Sequence, residues 1–561
     1  MWCARGADLI QIAFAGHNRP NDLGPHRLVS TALTAAFEMI RAAGVDEALL
    51  LTGLAVGADE LAAKAWREVG LGDIHAVFPF LDDAAKINIG PGGLATSATW
   101  LDGAGAEARG RNPHLKQTRL IVEAADLVVV VWTGEPAKGA GGTADAVLCA
   151  LELNLPVLWI QPSKAHPLRL IRPEGLPSDF HFPEFQEALH RGRFDHVEPA
   201  TPEALRKVFA AAAPPVRAHH SAAAVKRSRV DEWMHKSLWK TYRTFRRHIG
   251  GRARVDTPDI PIPASLEAQP GFRLLSASYL TADHIANRLS AVHRSEQVLL
   301  VFAMIAAAII GSSSALWPEL KVTSVWIELG LSVAALLVWA TASDRHQHEH
   351  WSEERHRAER LRLERAGWVI GIGVAGSLGP SRIHPSVGRA AARGSGLPSG
   401  RFDSARVQSW GAWAMAELVH GQAAYHRTVS IIEGRIAHRI HRLEDVAFIF
   451  LFAVFTLYVV LHFITSDEHL PSWISGIVVM TGSIVPAFGA ASIALEAKLE
   501  FQEQSARSKR IAATLEALCE GLGPTPSLDE IQDVARNAMR LHLAEASRWQ
   551  DGTSRRGLLR A

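Results

Sequence analysis

The sequence predicts two joined architectures. One is a doubly wound, Rossmann-like α/β domain of about five parallel strands, and the other is an α-helical membrane domain with four transmembrane helices in two duplicated hairpins. Three observations predict this. Short apolar runs alternate with helix-period segments over the first 160 residues, four apolar runs of membrane-crossing length, uncharged but for Glu328 in the second, fall in the second half and none in the first, and a short motif recurs 148 residues downstream of itself. The length of 561 residues corresponds to three or four units at about 150 residues per domain. Lys+Arg 59 against Asp+Glu 57 leaves no global charge to recruit nucleic acid. Three scattered cysteines, Cys3, Cys149 and Cys519, exclude a disulfide framework and a paired-cysteine zinc site.

In the first half, Leu9–Ala13, Ala48–Leu51, His75–Phe78, Leu127–Trp132 and Val157–Ile160 are short apolar runs, polar only at Gln11 and His75, the pattern of strands buried on both faces of a parallel sheet. Pro25–Ala43, Ala58–Val69, Pro113–Ala124 and Gly142–Leu153 carry the helical period between them. The order βαβαβ, insertion, αβαβ is that of a doubly wound sheet. The insertion, Asp82–Asn112, is rich in Gly and Ala and reads as a flap or partner-contacting loop.

Ligands of such sheets bind beyond the carboxyl ends of the strands, so the segments after each strand are the candidate site. After the first strand come Gly16, His17, Asn18 and Arg19, where glycine allows close backbone approach and Arg19 can pair with phosphate. After the second comes Thr52-Gly53-Leu54-Ala55-Val56-Gly57-Ala58-Asp59, a turn that opens directly into a helix, whose first N–H groups favour anions. After the fourth come Thr133, Gly134 and Glu135, then Gly139-Ala140-Gly141-Gly142-Thr143-Ala144-Asp145 at another helix start. Three glycine-bearing loops converging at matching strand ends point to an anionic, phosphate-bearing ligand. Each glycine alone is equally the residue of a tight turn. No GxxxxGK[ST] is present, which excludes a P-loop NTPase.

The run Thr52-Gly53-Leu54-Ala55-Val56-Gly57-Ala58-Asp59-Glu60-Leu61-Ala62, with Gly16-His17-Asn18-Arg19 before it and Gly141-Gly142-Thr143 after it, resembles the SLOG superfamily, which unites the Smf/DprA fold with the LOG cytokinin-activating enzymes. The resemblance covers about the first 160 residues. It implies that Gly16, His17, Arg19, Gly53, Gly57, Asp59, Thr133, Gly134, Glu135, Gly141, Gly142, Thr143 and Asp145 surround a nucleotide-derived ligand, with no other cofactor and no metal. It also implies a sensor of bacterial conflict systems fused to membrane segments, and the hairpins are similar to the SLATT effector domains of those systems. LOG enzymes carry PGGxGTxxE. Here Gly141-Gly142-Thr143-Ala144-Asp145 lacks the second Gly-Thr step and the glutamate. Asp59, Glu135 or Asp145 can be read as an acid or base, or as a helix-capping group. A binding module is therefore the expectation, with a membrane-tethered nucleotide-processing hydrolase as its alternative.

The four apolar runs are Val298–Trp317, Val322–Ser343, Val446–Ser466 and Ser472–Leu495, each near the ~20 residues a bilayer core requires. The loops within each pair are short and poor in Lys and Arg, whereas Arg345, Arg355, Arg357, Arg360, Arg362 and Arg365 follow the second span and Lys498, Arg507, Lys509 and Arg510 follow the fourth. The positive-inside rule then places both termini in the cytoplasm, at the bacterial inner membrane. His293-Arg294-Ser295-Glu296-Gln297-Val298 before the first span matches His441-Arg442-Leu443-Glu444-Asp445-Val446 before the third, an offset of 148 residues. This is the trace of a duplication. Gly482, Ser483, Pro486, Gly489, Ala490 and Ala491 in the last span read as close helix packing or as a flexible pore-lining helix.

The segment Arg206–Arg254 holds thirteen Lys/Arg and two Asp/Glu, against twelve and eighteen in residues 1–163. Within it Trp233, Leu238, Trp239, Tyr242 and Phe245 interleave with Lys236, Lys240, Arg243, Arg246 and Arg247, which suits an interfacial helix held by anionic lipid better than a nucleic-acid surface. His346, His348, His350 and His356 read as a solvated stalk, since only the first and third share a helix face. The expected organisation is a ligand-binding domain (1–163), a basic linker (164–275), a two-span unit (276–370), a flexible connection rich in Gly, Ser and Pro (371–415), a second two-span unit (416–520) and a C-terminal helix (521–561). The expected partners are a nucleotide-derived small molecule, the lipid bilayer and further copies of the chain.

Overall fold

The computed structural model describes residues 9–16, 25–80, 89–90, 93–101, 113–136, 139–162, 164, 167–173, 197–212, 240–253, 255, 260–344, 347–373, 394–465 and 471–558. Its N-terminal part is built on one nine-stranded sheet: β1 (Ile10–Gly16), β2 (Ala48–Thr52), β3 (Ile74–Phe78), β4 (Ser97–Trp100), β5 (Leu127–Val131), β6 (Val157–Ile160), β7 (Leu168–Ile171), β8 (Val197–Pro199) and β9 (Gly400–Arg401), in the spatial order β8-β7-β6-β5-β1-β2-β3-β4-β9. The expectation of about five parallel strands is thereby corrected. The five predicted strands form the parallel centre, β4 and β9 extend it in parallel, and β7 and β8 close the other edge antiparallel. The central strands β2, β3 and β5 are buried along their whole length, which is why they appear in the sequence as unbroken apolar runs.

Two expected boundaries shift for the same reason. The insertion predicted as a flap supplies β4, and the connection predicted as flexible supplies β9. A two-residue strand in a Gly/Ser/Pro-rich context carries no periodicity. It forms because the Thr99 hydroxyl donates to Pro398 O at 2.5 Å and Phe402 N–H donates to Trp100 O at 2.9 Å. Buried beneath this edge, His75 Nε2 lies 2.8 Å from Thr99 Oγ1 and Nδ1 2.7 Å from Ser97 Oγ. Because the Thr99 proton is given to Pro398, the histidine carries its own on Nε2.

Helices α1 (His26–Ala42) and α2 (Ala58–Val69) cover one sheet face, and α3 (Pro113–Glu123) and α4 (Thr143–Glu152) the other; α5 (Pro202–Ala212) joins the first pair. α1 buries Val29, Ala32, Leu33, Ala36, Phe37 and Ile40, a stripe at three- and four-residue spacing. α2 starts at Gly57 and stops at Gly70, both with positive φ.

The helical part comprises α6 (Ala264–Glu267), α7 (Pro270–Ser313), α8 (Lys321–Asp344), α9 (Gln347–Val369), α10 (Ser404–Met415), α11 (Gly421–Thr465), α12 (Ser472–Leu499), α13 (Phe501–Ala517) and α14 (Leu528–Leu558). Among the described residues four helices are long and apolar enough to cross a membrane, and the apolar stretches of α7, α8, α11 and α12 are those expected. The first ends at Ser313 rather than Trp317. α7 packs against α8 and α12, and α12 against α11, which makes a row with α8 and α11 at its ends. Outside the apolar stretches, α7 lies along α9 and α11 along α13. A Cβ on Gly482 or Gly489 would stand 3.3 Å from Phe455 or 3.4 Å from Phe448 of α11, and one on Gly476 2.6 Å from Ala315 O. The small residues of α12 thus let neighbouring helices approach, the first of the two readings above.

A π-helix, Ala416–His420, joins α10 to α11. Its carbonyls are taken by side chains from other helices: Arg362 Nη1 donates to Glu417 O at 3.1 Å and His542 Nε2 to Leu418 O at 2.9 Å, while Arg365 pairs with the Glu417 carboxylate at 2.8 Å. These donors satisfy the carbonyls that the widened turn displaces from the ordinary ladder.

Candidate functional site

β1 lies between β5 and β2, so the connections leaving its two sides run in opposite directions, and Gly16 at its end is level with Val131 of β5. This is the switch point of the sheet, where a crevice opens beyond the strand ends. His17 and Arg19 lie outside the described residues, whereas the other predicted residues are on the loops that line the crevice.

Gly16 is required by packing. A Cβ there would be 2.4 Å from the Ala58 Cβ, so glycine lets the first turn of α2 abut β1. The β2 loop folds back through Leu54 (φ 48°) and Gly57 (φ 121°), with Leu54 N–H donating to Thr52 Oγ1 at 3.2 Å. Asp59, 7% exposed, turns its carboxylate inward and accepts from Gly16 N–H at 3.1 Å. Burial raises its pKa to about 7, against the lowering effect of hydrogen bonds from the Ala55, Gly16 and Gly53 amides and the Thr52 hydroxyl. Asp59 therefore ties β1 to the β2 loop and changes charge near neutrality.

Gly53 faces α3. A Cβ there would be 2.5 Å from Gln117 Nε2, which donates to Val77 O at 2.7 Å. In the β5 loop, Gly134 has φ 92°, Glu135 N–H donates to Thr133 Oγ1 at 3.3 Å, and the Trp132 indole donates to Glu135 O at 2.8 Å. The Glu135 side chain is exposed at the rim. In the last loop, Gly141 (φ 82°) sits so close to α3 that a Cβ would be 2.3 Å from the carbonyl carbon of His114. Its N–H donates to Asp145 Oδ2 at 2.7 Å and its carbonyl accepts from Thr118 Oγ1 at 2.8 Å. Gly142 caps α4 without a side-chain hydrogen bond, as Gly57 caps α2, and Thr143 is buried behind it.

Two helix N-termini without side-chain cap hydrogen bonds, at Gly57 and Gly142, stand on these glycine-rich loops and make the candidate anion cradle, while the Gly16, Gly53, Ala55 and Gly141 amides are taken by Asp59 and Asp145. Asp59 and Asp145 are occupied with loop amides, and Glu135 is solvent-facing. Among the described residues no group of three His, Cys, Asp or Glu side chains is placed to hold a metal ion. Of the predicted histidine stalk, His346 is outside the described residues, and His356 bonds Ser352 O and Ala546 O at 2.6 and 2.9 Å.

Sequence reasoning missed α3 as a member of the site. Gln117 and Thr118 hold the loops from its first half, while Glu123 at its other end meets Arg536 of α14 at 2.5 and 3.1 Å and Lys116 pairs with Asp529. Gly373 N–H also donates to Glu123 Oε2 at 3.2 Å. One continuous apolar core joins Leu120, Val122 and Ala150 to Leu363, Ile370, Ile531 and Ala535 of the helical part. No family model matches the chain, and no curated protein or solved structure matches it either.

Proposed function

We propose that the chain is a cytosolic sensor of a nucleotide-derived anion whose binding drives a four-span membrane effector, opening a pore or disrupting the bilayer, in the manner the SLOG and SLATT resemblance implies for bacterial anti-phage defence. The observation that carries this reading is α3. One helix bonds Gly141 of the anion cradle through Thr118, packs Gln117 against Gly53 while bonding Val77 O, and holds α14 through Lys116 and Glu123. A ligand that displaces the cradle loops must act on the helix that is bolted to the membrane part.

The helical part supports a duplicated effector. α7 and α11 have 44 and 45 residues, the ends of α6 and α10 (Glu267 and Met415) are 148 residues apart, and so are the ends of α9 and α13 (Val369 and Ala517). The offset equals that of the sequence motif. A row of four apolar helices, unlike a closed bundle, leaves faces for sister subunits, which supports a homo-oligomer with cytoplasmic termini. Ligand binding drives such an assembly only through different affinities for its two states.

The test is reconstitution of the full chain in dye-filled liposomes, with nucleotides and cyclic oligonucleotides added one at a time. Release is expected with a ligand that also raises the thermal stability of the protein. A ligand that binds without release refutes the effector, and one that is consumed establishes the hydrolase instead.

A further inference from the structure

Helical residues 240–245 continue into a second π-helix, Arg246–Gly250, wedged where the apolar stretch of α7 begins. It is fixed on its inner side. Tyr242 N–H donates to Ser295 Oγ at 2.9 Å, Arg246 Nε to the buried Glu433 at 2.9 Å, and Arg439 Nη1 to Ile249 O at 2.7 Å. A Cβ on Gly250 would be 2.6 Å from Ile432, so the glycine seats the element on α11.

On its other side a groove of about 400 Å³ opens between this element and α7, lined by Lys240, Phe245, His248, Ile249, Val298 and Phe302 together with two threonines. The volume is in the ~300–1,000 Å³ range of small-molecule sites. Val298 is buried at its floor and Phe302, one helical turn further into the apolar stretch, is 53% exposed, with its ring 6.4 Å from that of Phe245. Lys240 and His248 are exposed at its rim, and His248 Nδ1–H is committed to Thr244 O at 2.8 Å, which leaves Nε2 as the ring's remaining polar atom.

We propose that this groove binds one anionic phospholipid of the cytoplasmic leaflet, with the phosphate at Lys240, joined by His248 Nε2–H when the imidazole is protonated, and the upper acyl chain on Phe245, Ile249, Val298 and Phe302. The proposal rests on the membrane reading and not on the ligand reading. Two arguments select the occupant. The apolar floor is continuous with a membrane-crossing stretch, so the groove opens at the depth of lipid phosphates and carbonyls. The element itself carries charge of one sign, since residues 233–255 contain seven Lys/Arg and no Asp or Glu, and Glu433 of α11 is paired with Arg246. The interfacial helix expected from the sequence would bind lipids as a surface; the groove makes a discrete, saturable site that joins α7 to α11 through the element between them.

The test is native mass spectrometry of the full chain in mild detergent, titrated with phosphatidylglycerol or phosphatidylcholine. One phosphatidylglycerol per chain is expected to be retained, with a preference of about ten-fold over phosphatidylcholine. That lipid should be lost from Phe302→Ala and from the Lys240→Ala/His248→Ala double variant, whose melting temperatures and ligand-free spectra remain those of the parent. Equal retention of both lipids, or variants that bind as the parent does, would overturn the proposal. Extraction of the chain from native membranes by carbonate would overturn the membrane reading beneath it, whereas resistance to carbonate without a saturable lipid overturns the groove alone.

Discussion

The carboxylate of Glu123, 4% exposed at its side chain, receives both terminal guanidinium nitrogens of Arg536, 413 residues away in the sequence, at 2.5 and 3.1 Å. Removing one partner of such a pair leaves a buried charge uncompensated and costs about 3–5 kcal/mol. Glu123→Ala and Arg536→Ala should each lower the melting temperature sharply, and a Glu123→Leu/Arg536→Met variant should regain most of the loss. In that double variant nucleotide binding should persist while ligand-triggered release falls. Unchanged release would mean that α3 does not transmit the signal.

Asp59 gives a pH dependence of definite sign. Its carboxyl titrates at about 7 in the folded chain against 3.8 in its ordinary state, so the stability it contributes is full below pH 4 and declines as pH rises through 7. Asp59→Asn should flatten this slope in melting curves between pH 4 and 8. A curve parallel to that of the parent would remove Asp59 from the account of the loop.

Three buried histidines act in the opposite range. Burial lowers His75 and His542 to about 3 and His426 to about 4, all from 6.5. Their folded pKa values are depressed, so the unfolded chain takes up protons first and stability falls as pH drops from 6.5 toward 3. His542→Gln, which keeps a donor for Leu418 O, should shift the midpoint of acid unfolding downward. No shift would mean that His542 charges without cost.

Gly141 and Gly139 are two residues apart and should behave differently. At Gly141 a Cβ would meet the His114 backbone at 2.3 Å and the φ of 82° is strained for any L side chain, whereas at Gly139 a Cβ meets nothing within 4 Å. Gly141→Ala should cost about 1–3 kcal/mol and abolish ligand-induced stabilisation, and Gly139→Ala should be silent in calorimetry of both.

Topology can be read by cysteine labelling in a background with Cys3, Cys149 and Cys519 changed to Ser. Glu319, on the turn Pro318–Leu320 between α7 and α8, should label as Glu319→Cys with an impermeant maleimide in intact spheroplasts. The exposed Lys509 on α13 should label as Lys509→Cys only after lysis. The reverse pattern would invert the chain.

Most of the central sheet was legible because β2, β3 and β5 are buried on both faces and so are apolar at every position but Thr52 and His75. The long apolar helices were legible because a helix able to cross a bilayer needs about 20 predominantly apolar residues in succession. The cradle glycines were legible as glycines, but their reasons were not: Gly16 answers to Ala58, Gly53 to Gln117 and Gly141 to His114, and none of these neighbours is near in sequence. Asp59 and Asp145 were ambiguous between chemistry and capping until the structure showed each bonded to a loop amide.

By itself the sequence determined the local part: which segments become the five central strands, the helices between them and the long apolar helices, and that one motif recurs at a fixed distance. Those properties follow from backbone preference and from the solvent each segment must face. Only the tertiary structure decided that residues 400–401 complete the sheet, that Gln117 packs on Gly53 and bonds Val77 O, and that α3 joins the cradle to α14. Such pairings are set by the mutual burial of surfaces distant in the chain, and no periodicity along it records them.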